Sequence, residues 1–340
     1  MRRAWSIGSL VGDAPPFDRG YGRLLRGITF AELDERDCVL AALHTASRSG
    51  YQPARRHLGA AEPAPSRHDA ALLAAVDEPH DERFLSDEAW NTLDLTPGQT
   101  VELCFLVGLL ELIAMTTATF DRDSVPSEPT PISSRSLADP RWKLPSQPRL
   151  PAPDVSEIGI RTWAASRAIG LANGAGSVDG IELFSRSPRL FWSVVPFLLR
   201  LGPLRLGRAN GEIVTLRATW NVGSHYHWGH HGFAGRLAGL STEQIERVAD
   251  GPDWPGWTDE QAALLRAVDD LHQHRRIGDT CWDQLHELFD DSQIAEICLV
   301  TGNYEMLCMA LNSFGVRFED DAWDRGVTRH LLRLRRDRRR

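Results

Sequence analysis

Four histidines lie within seven residues, and side chains of this type transfer protons near neutral pH. They are His225, His227, His230 and His231, and Glu212 precedes them in the chain. Because residues four apart share a helical face, His227 and His231 would lie side by side, with Glu212 on the preceding helix. His225 and His230 would point away from that face. A carboxylate beside two imidazoles can hold a proton, polarise a carbonyl group or abstract a proton next to one, which predicts acid/base chemistry.

The residues around these histidines form the motif Ser-His-Tyr-His-Trp-Gly-His-His at positions 224–231. This motif resembles the Ser-x-Tyr-x-Trp-Gly-x-His subgroup of the carboxymuconolactone decarboxylase-like (alkyl hydroperoxidase D-like) superfamily, and residues 302–315 resemble the same subgroup. Peroxidase members carry a Cys-x-x-Cys pair where this chain has Ser224 and His227. A chain without that thiol pair cannot run a sulfenic-acid and disulfide cycle, so we expect no thiol peroxidase activity.

The resemblance implies proton transfer without a cofactor. We expect His231 to be the general acid/base and Glu212 to orient it. His227 would be a second proton carrier or a substrate anchor. Tyr226 or Ser224 would donate a hydrogen bond to a developing oxyanion.

Three further side chains, Trp228, Glu305 and Asn312, are candidate substrate contacts. Trp228 would form part of a pocket wall. Glu305 shares a weakly polar helical face with Asn312, where a carboxylate must be paired or reach a cavity. Glu111 repeats Glu305 earlier in the chain, and this repetition slightly favours a structural role for both.

The chain contains an internal repeat in which residues 69–80 align with residues 261–272. After a shift of two residues, Glu102, Glu111 and Phe120 fall on Glu296, Glu305 and Phe314. We divide the chain into a degenerate repeat at 1–120, a Pro/Ser-rich connector at 121–157, an intact repeat at 158–325 and a basic tail at 326–340.

Apolar residues recur at helical spacing in both repeats, and capping boxes mark several helix starts, which predicts an all-α fold. The resemblance implies two tandem helical bundle modules packed as a pseudo-dimer. The first repeat lacks the histidine motif: its equivalent segment offers Asp37, His44 and His57, and Pro53 would break the helix. We therefore interpret the first repeat as architectural.

Composition limits the classes of partner that this chain can bind. The net charge of −8 argues against a nucleic-acid partner. The five cysteines form no paired motif, which is typical of a reducing compartment. We find no signal peptide, and residues 191–201 are too short to span a bilayer, so we expect a cytoplasmic protein with no membrane partner. A small-molecule substrate is the expected partner, with a homo-oligomer formed through helix packing.

These observations favour a cofactor-free lyase, decarboxylase, isomerase or cyclase that acts on a carbonyl- or carboxylate-bearing small molecule. We expect a role in a specialised or secondary metabolic pathway by analogy alone. One alternative is an enzyme dependent on a divalent metal, with Glu212, His227 and His231 as a 2-His-1-carboxylate site and His225 as an extra ligand. The other is a non-catalytic binding or scaffold protein.

Overall fold

The computed structural model describes residues 5–7, 19–51, 66–122, 144–145, 147–172, 179–201 and 204–316. Within these ranges the chain forms helices, apart from two strands of two residues each that pair antiparallel. The predicted all-α fold is confirmed. The small sheet, which the sequence did not predict, joins the N-terminal segment to the turn after the first helix.

The elements fall into two groups along the chain. Before residue 121 they are β1 (Trp5–Ser6), α1 (Arg19–Arg26), β2 (Thr29–Phe30), α2 (Glu35–Arg48), α3 (Arg67–Glu82), α4 (Asp87–Thr92) and α5 (Pro97–Phe120). After residue 150 they are α6 (Val155–Ile158), α7 (Ile160–Ala172), α8 (Asp179–Phe184), α9 (Pro188–Arg200), α10 (Arg208–Asn221), α11 (His225–Ala238), α12 (Thr242–Arg247), α13 (Asp259–His274), α14 (Asp279–Leu288) and α15 (Asp291–Phe314).

The helices α5 and α15 pack against each other at the centre of the molecule. Each begins with a capping box, formed by Thr96 with Gln99 and by Asp290 with Gln293. By length and composition both helices are apolar enough to cross a membrane, but 89% and 94% of their apolar stretches are buried inside the protein. Helices that are apolar on all sides are typical of a protein core.

A pair of glycines lets α5 and α15 approach closely. A Cβ atom at Gly108 would lie 2.5 Å from Cγ of Met306, and one at Gly302 would lie 2.8 Å from Cβ of Leu112. Gly108 and Gly302 are equivalent in the internal repeat, as are Leu112 and Met306. The contact is therefore reciprocal, and neither glycine can be enlarged without separating the two helices.

The loops after α3 and α13 also make reciprocal contacts with the opposite half. The amide of Leu85 donates to Oγ of Ser313 across 2.9 Å, and the amide of Ile277 donates to Oγ1 of Thr119 across 3.2 Å. Each loop thus satisfies a buried amide with a side chain from the long helix of the other half. Backbone hydrogen bonding in each half depends on the other half.

A buried ion cluster occupies the first half. Glu111 on α5 accepts a hydrogen bond from Arg83, and its other oxygen lies 2.6 Å from Nδ1 of His80. All three side chains are at most 3% exposed. Arg83 ends α3 in the left-handed conformation, with φ of 57°, which turns its guanidinium back towards Glu111.

The second half repeats this cluster at the equivalent positions. Glu305 on α15 lies 2.7 Å from Nδ1 of His272 and 2.5 Å from Nη1 of Arg275. Arg275 ends α13 with φ of 56°, and within the described residues it and Arg83 are the two non-glycine residues with positive φ. A buried charge needs such partners to offset its lost hydration.

Several sequence predictions concern residues outside the described ranges. These are His57, Pro53, most of the connector at 121–157 and the basic tail at 326–340. In the described part of the first half, Nε2 of His44 lies 2.8 Å from Oδ1 of Asp77. That pair lies on the outer side of α2 and α3, where both side chains are more than a quarter exposed.

Candidate active site

The turn between α10 and α11 positions the candidate residues. The helix α10 ends at Asn221, and Gly223 adopts a φ of 74°, which favours glycine because it lacks a Cβ atom. Ser224 then caps α11 by accepting a hydrogen bond from the amide of His227. Because the turn is short, α11 folds back against α10.

This hairpin brings together His231 and Glu212, as the spacing predicted. Nδ1 of His231 lies 2.8 Å from Oε2 of Glu212. The His231 side chain is 18% exposed and the Glu212 side chain is 15% exposed, so the pair is shielded but still accessible. With the carboxylate accepting from Nδ1–H, the Nε2 atom of His231 keeps its lone pair.

His227 lies deeper than His231 and has different partners. Its Nδ1 lies 3.2 Å from Oγ of Ser224 and 3.3 Å from Sγ of Cys308. Its ring is nearly parallel to that of His231, with 6.3 Å between the centroids. Burial, followed by the nearby His231 and His230, holds the pKa of His227 well below 6.5. His227 is therefore neutral at physiological pH.

Tyr304 on α15 is a site residue that sequence analysis missed. Its ring centroid lies 4.7 Å from that of His231 and 5.9 Å from that of His227, with near-perpendicular planes in both cases. Burial, and then the charge of Glu212, raises the pKa of the Tyr304 phenol well above its usual value. The phenol therefore keeps its proton, and a hydrogen bond with Thr215 on α10 offsets only part of the rise in its pKa.

Cys308, one helical turn after Tyr304, was also missed as a site residue. Cysteine spacing indicated only small core side chains, yet the Cys308 thiol touches the ring of His227. Burial raises the pKa of this thiol, so it remains protonated rather than forming an imidazole-paired thiolate. The sequence signal was a polar stripe at helical spacing through residues 301, 304 and 308, which also fits a core.

Tyr226 and His230 form a second layer on α11. The phenol oxygen of Tyr226 accepts from the amide of Gly180 across 3.4 Å, and its ring lies 4.4 Å from that of His230 and 5.2 Å from that of His227. Burial, and then His231, lowers the pKa of His230 to about 3. His230 is thus half-buried and lies beside Tyr226 on α11.

The remaining predicted contacts are spread over the surrounding core. Trp228 packs on Trp220, with 5.1 Å between the ring centroids. Nδ2 of Asn312 donates to the carbonyl of Val222 and so ties α15 to the turn after α10. Glu305 belongs to the buried ion cluster with His272 and Arg275. These three residues support the site's elements, and their direct hydrogen bonds and ring contacts are not with His231.

The described residues offer no ready metal site. Among them, no group of three or more His, Cys, Asp or Glu side chains is arranged to hold a metal ion. The side chains of Glu212 and His231 pair with each other, and His225 is exposed at the start of α11.

Comparison with known proteins leaves the family open, because no family model, no curated protein and no solved structure matches this chain. The likeness to the carboxymuconolactone decarboxylase-like superfamily therefore depends on the motif residues alone.

Proposed function

We propose that this chain is a cofactor-free acid/base enzyme, a lyase, decarboxylase, isomerase or cyclase, acting on a carbonyl- or carboxylate-bearing small molecule. The observation that carries the proposal is the 2.8 Å contact between Nδ1 of His231 and Oε2 of Glu212 at a partly accessible position. A histidine oriented by a carboxylate is a common arrangement for a general base.

In this proposal Glu212 fixes the ring orientation and the tautomer of His231. Nε2 of His231 takes a proton from the carbon next to a carbonyl group, and Glu212 then stabilises the imidazolium that forms. In the second step His231 returns this proton to another atom of the substrate or to the leaving group. Since proton transfer requires only these two groups, the reaction needs no bound cofactor.

The neutral groups around this pair would stabilise negative charge on the substrate. The Tyr304 ring lies nearly perpendicular to the rings of both histidines, and the raised pKa of its phenol keeps the proton in place. His227 is kept neutral by burial, so its role as a second proton carrier becomes less favourable than its role as an anchor. We therefore infer that Tyr304, rather than Tyr226 or Ser224, donates to the oxyanion.

The first half of the chain would serve as the structural partner of the second, as in a pseudo-dimer. Its helix α5 packs along α15, which carries Tyr304 and Cys308. Gly302 and Met306, where the two helices approach closely, both lie within one turn of Tyr304. A displacement of α5 would therefore move the phenol relative to His231.

A substrate screen tests the proposal. The full chain is incubated in D2O with a panel of β-keto acids, carboxylated lactones and enolisable ketones, and deuterium uptake and product formation are followed by NMR. We expect turnover on at least one member. His231→Ala should lower it by about two to four orders of magnitude, while His225→Ala, at an exposed position on the same helix, should leave it unchanged.

Metal analysis of the same preparation separates the acid/base proposal from the metal alternative. We expect less than a tenth of an equivalent of any divalent metal and no loss of turnover in EDTA. A stoichiometric metal whose removal abolishes turnover would contradict the proposal, as would equal losses in His231→Ala and His225→Ala.

A further inference from the structure

Exposed apolar side chains are concentrated in one part of the chain. Six large apolar residues of the described part are exposed, and five of them lie between positions 155 and 200: Val155, Ile160, Trp163, Trp192 and Leu199. Ile160 and Leu199 are both 65% exposed. Such clustering differs from the isolated exposed residues of an ordinary protein surface and indicates an interaction surface.

The helices α7, α8 and α9 also form a small cleft with a volume of about 60 Å³. Its walls are apolar throughout and include Ile169, Phe184, Phe191 and Leu198. Leu199 belongs both to the cleft and to the exposed cluster. Leu199 thus joins the cleft to the exposed side chains, and we call the cleft and these side chains together the α7–α9 surface.

The charges on α7 and α9 have one sign, whereas α8 carries Asp179 and Glu182. Neither α7 nor α9 contains Asp or Glu, whereas the two helices carry Arg161, Arg167, Arg189 and Arg200. Arg167 is paired with Glu182 on α8. Arg161 and Arg189 are exposed, and neither makes an ion pair within the described residues. A cationic, apolar face on a chain of net charge −8 is a local reversal of charge.

The two exposed tryptophans are held on this surface by the fold. Nε1 of Trp192 on α9 donates to Oγ1 of Thr162 on α7 across 3.2 Å, next to Trp163 in the chain. Arg167 lies over the ring of Trp163, 5.7 Å from its centroid. Both rings therefore stay at the surface beside arginine instead of packing into the core.

We propose that the α7–α9 surface docks on an anionic lipid bilayer. Tryptophan rings prefer the headgroup level, leucine and isoleucine enter the acyl boundary, and exposed arginines bind anionic headgroups. A symmetric contact with a second copy would instead bring two arginine-bearing surfaces together. Peripheral docking needs no spanning segment, so the failure of residues 191–201 to span a bilayer does not bear on it.

Vesicle binding by the full chain tests this proposal. Vesicles of phosphatidylcholine alone are compared with vesicles that contain about a third phosphatidylglycerol, using flotation and tryptophan emission. We expect binding and a blue shift with anionic vesicles only. Leu199→Ser and the pair Arg161→Glu with Arg189→Glu should each weaken binding at least about tenfold. The matched controls are Leu288→Ser and Arg266→Glu, at an exposed leucine and an exposed arginine outside this surface.

Three results would overturn the proposal. The first is no binding of the wild-type chain to anionic vesicles. The second is binding that the surface variants leave unchanged, as it would be if the basic tail alone bound the lipid. The third is a concentration-dependent dimer in sedimentation velocity that Leu199→Ser dissociates, which would make a second copy the occupant. Circular dichroism of each variant shows that lost binding does not reflect lost fold.

Discussion

Nη2 of Arg83 lies 3.6 Å from Oε2 of Glu305, so a buried ion pair joins the first half of the chain to the second. Each residue also belongs to its own half's cluster, Arg83 with Glu111 and Glu305 with Arg275. Four charges therefore lie close together in the interior, and each carboxylate offsets the desolvation of the arginines around it.

Removing one of these carboxylates should strongly destabilise the protein. We expect Glu305→Gln to lower the free energy of unfolding by about 3–5 kcal/mol, because Arg275 keeps its charge in the interior without its carboxylate partner. Glu111→Gln should cost a similar amount through Arg83. Urea unfolding measures both, with the exposed Glu246→Gln as control. A loss below about 1 kcal/mol in both variants would show that water already reaches the cluster.

The glycine contact between α5 and α15 gives a second stability prediction. Gly302→Ala places a Cβ atom 2.8 Å from Leu112, and backbone of α5 lies within 3.0 Å, so the helices must separate. We expect a loss of about 1–3 kcal/mol, as for other overpacked cores. Gly232→Ala is the matched control, because its Cβ atom would meet Ile245 at an ordinary 3.7 Å.

The control should change stability in the opposite direction. Alanine is a better helix former than glycine by about 1 kcal/mol, so Gly232→Ala is expected to raise the melting temperature. If both variants were equally stable, the close approach of the two long helices would not be a constraint in solution.

The buried histidines predict how stability depends on pH. The pKa of His230 is about 3 in the folded chain, against 6.5 for an unperturbed histidine, so the unfolded state binds more protons between these values. Stability is therefore lost as the pH falls from about 6.5 towards 3, at up to about 1.4 kcal/mol per pH unit for this group. Urea unfolding at pH 7.5 and pH 5 should show a smaller loss in His230→Gln than in the wild type.

His225→Gln is the comparison for this measurement, because His225 is exposed. Its loss between the two pH values should equal that of the wild type. An identical pH dependence in all three proteins would mean that His230 is solvated and titrates normally.

The two tyrosines near the histidines can be separated by kinetics. We expect Tyr304→Phe to lower kcat by about 10²–10³ with little change in KM, as for the loss of one oxyanion donor. Tyr226→Phe should have a smaller effect on kcat, because the Tyr226 ring contacts His227 and His230 and its oxygen lies at the amide of Gly180. The reverse order of effects would restore Tyr226 as the oxyanion donor, as the sequence motif predicted.

The thiols should be inert in the folded protein. The five cysteines are buried and free, and burial raises the pKa of the Cys104, Cys281 and Cys298 thiols to about 12. We expect negligible reaction with Ellman's reagent until urea is added, after which all five thiols react. Peroxidase assays with dithiol reductants should show no turnover, and replacing the cysteines with Ser should leave acid/base turnover intact. Rapid oxidation of Cys308 in the native chain would contradict both expectations.

Sequence analysis reached different depths for different parts of the molecule. The pairing of Glu212 with His231 was predictable, because helical spacing and the order of two adjacent helices determine it locally. Tyr304 and Cys308 come from a helix more than seventy residues further along the chain. Their approach to the histidines depends on how α15 packs against α10, and a helical stripe of residues does not reveal which neighbour it will face.

The role of Glu305 also could not be predicted from the sequence. A carboxylate on a buried helical face must find a partner, and the sequence allowed either a substrate pocket or an ion pair. The partner is His272 with Arg275, both on α13, and the left-handed φ of Arg275 turns that side chain inward. Glycine and asparagine are the usual residues in this conformation, so an arginine in the sequence does not indicate it.

The reciprocal hydrogen bonds of Leu85 and Ile277 limit how this chain can change over generations. Substitutions in the first half also affect the second half, because Thr119 of the first half satisfies a backbone amide of the second. A mutation at Thr119 would therefore destabilise the half that carries His231, and selection would act against it. We expect inherited substitutions in the first half to be frequent on its outer helices and rare along α5. A gene that encoded the second half alone would give a chain in which the amide of Ile277 lacks its partner, Thr119.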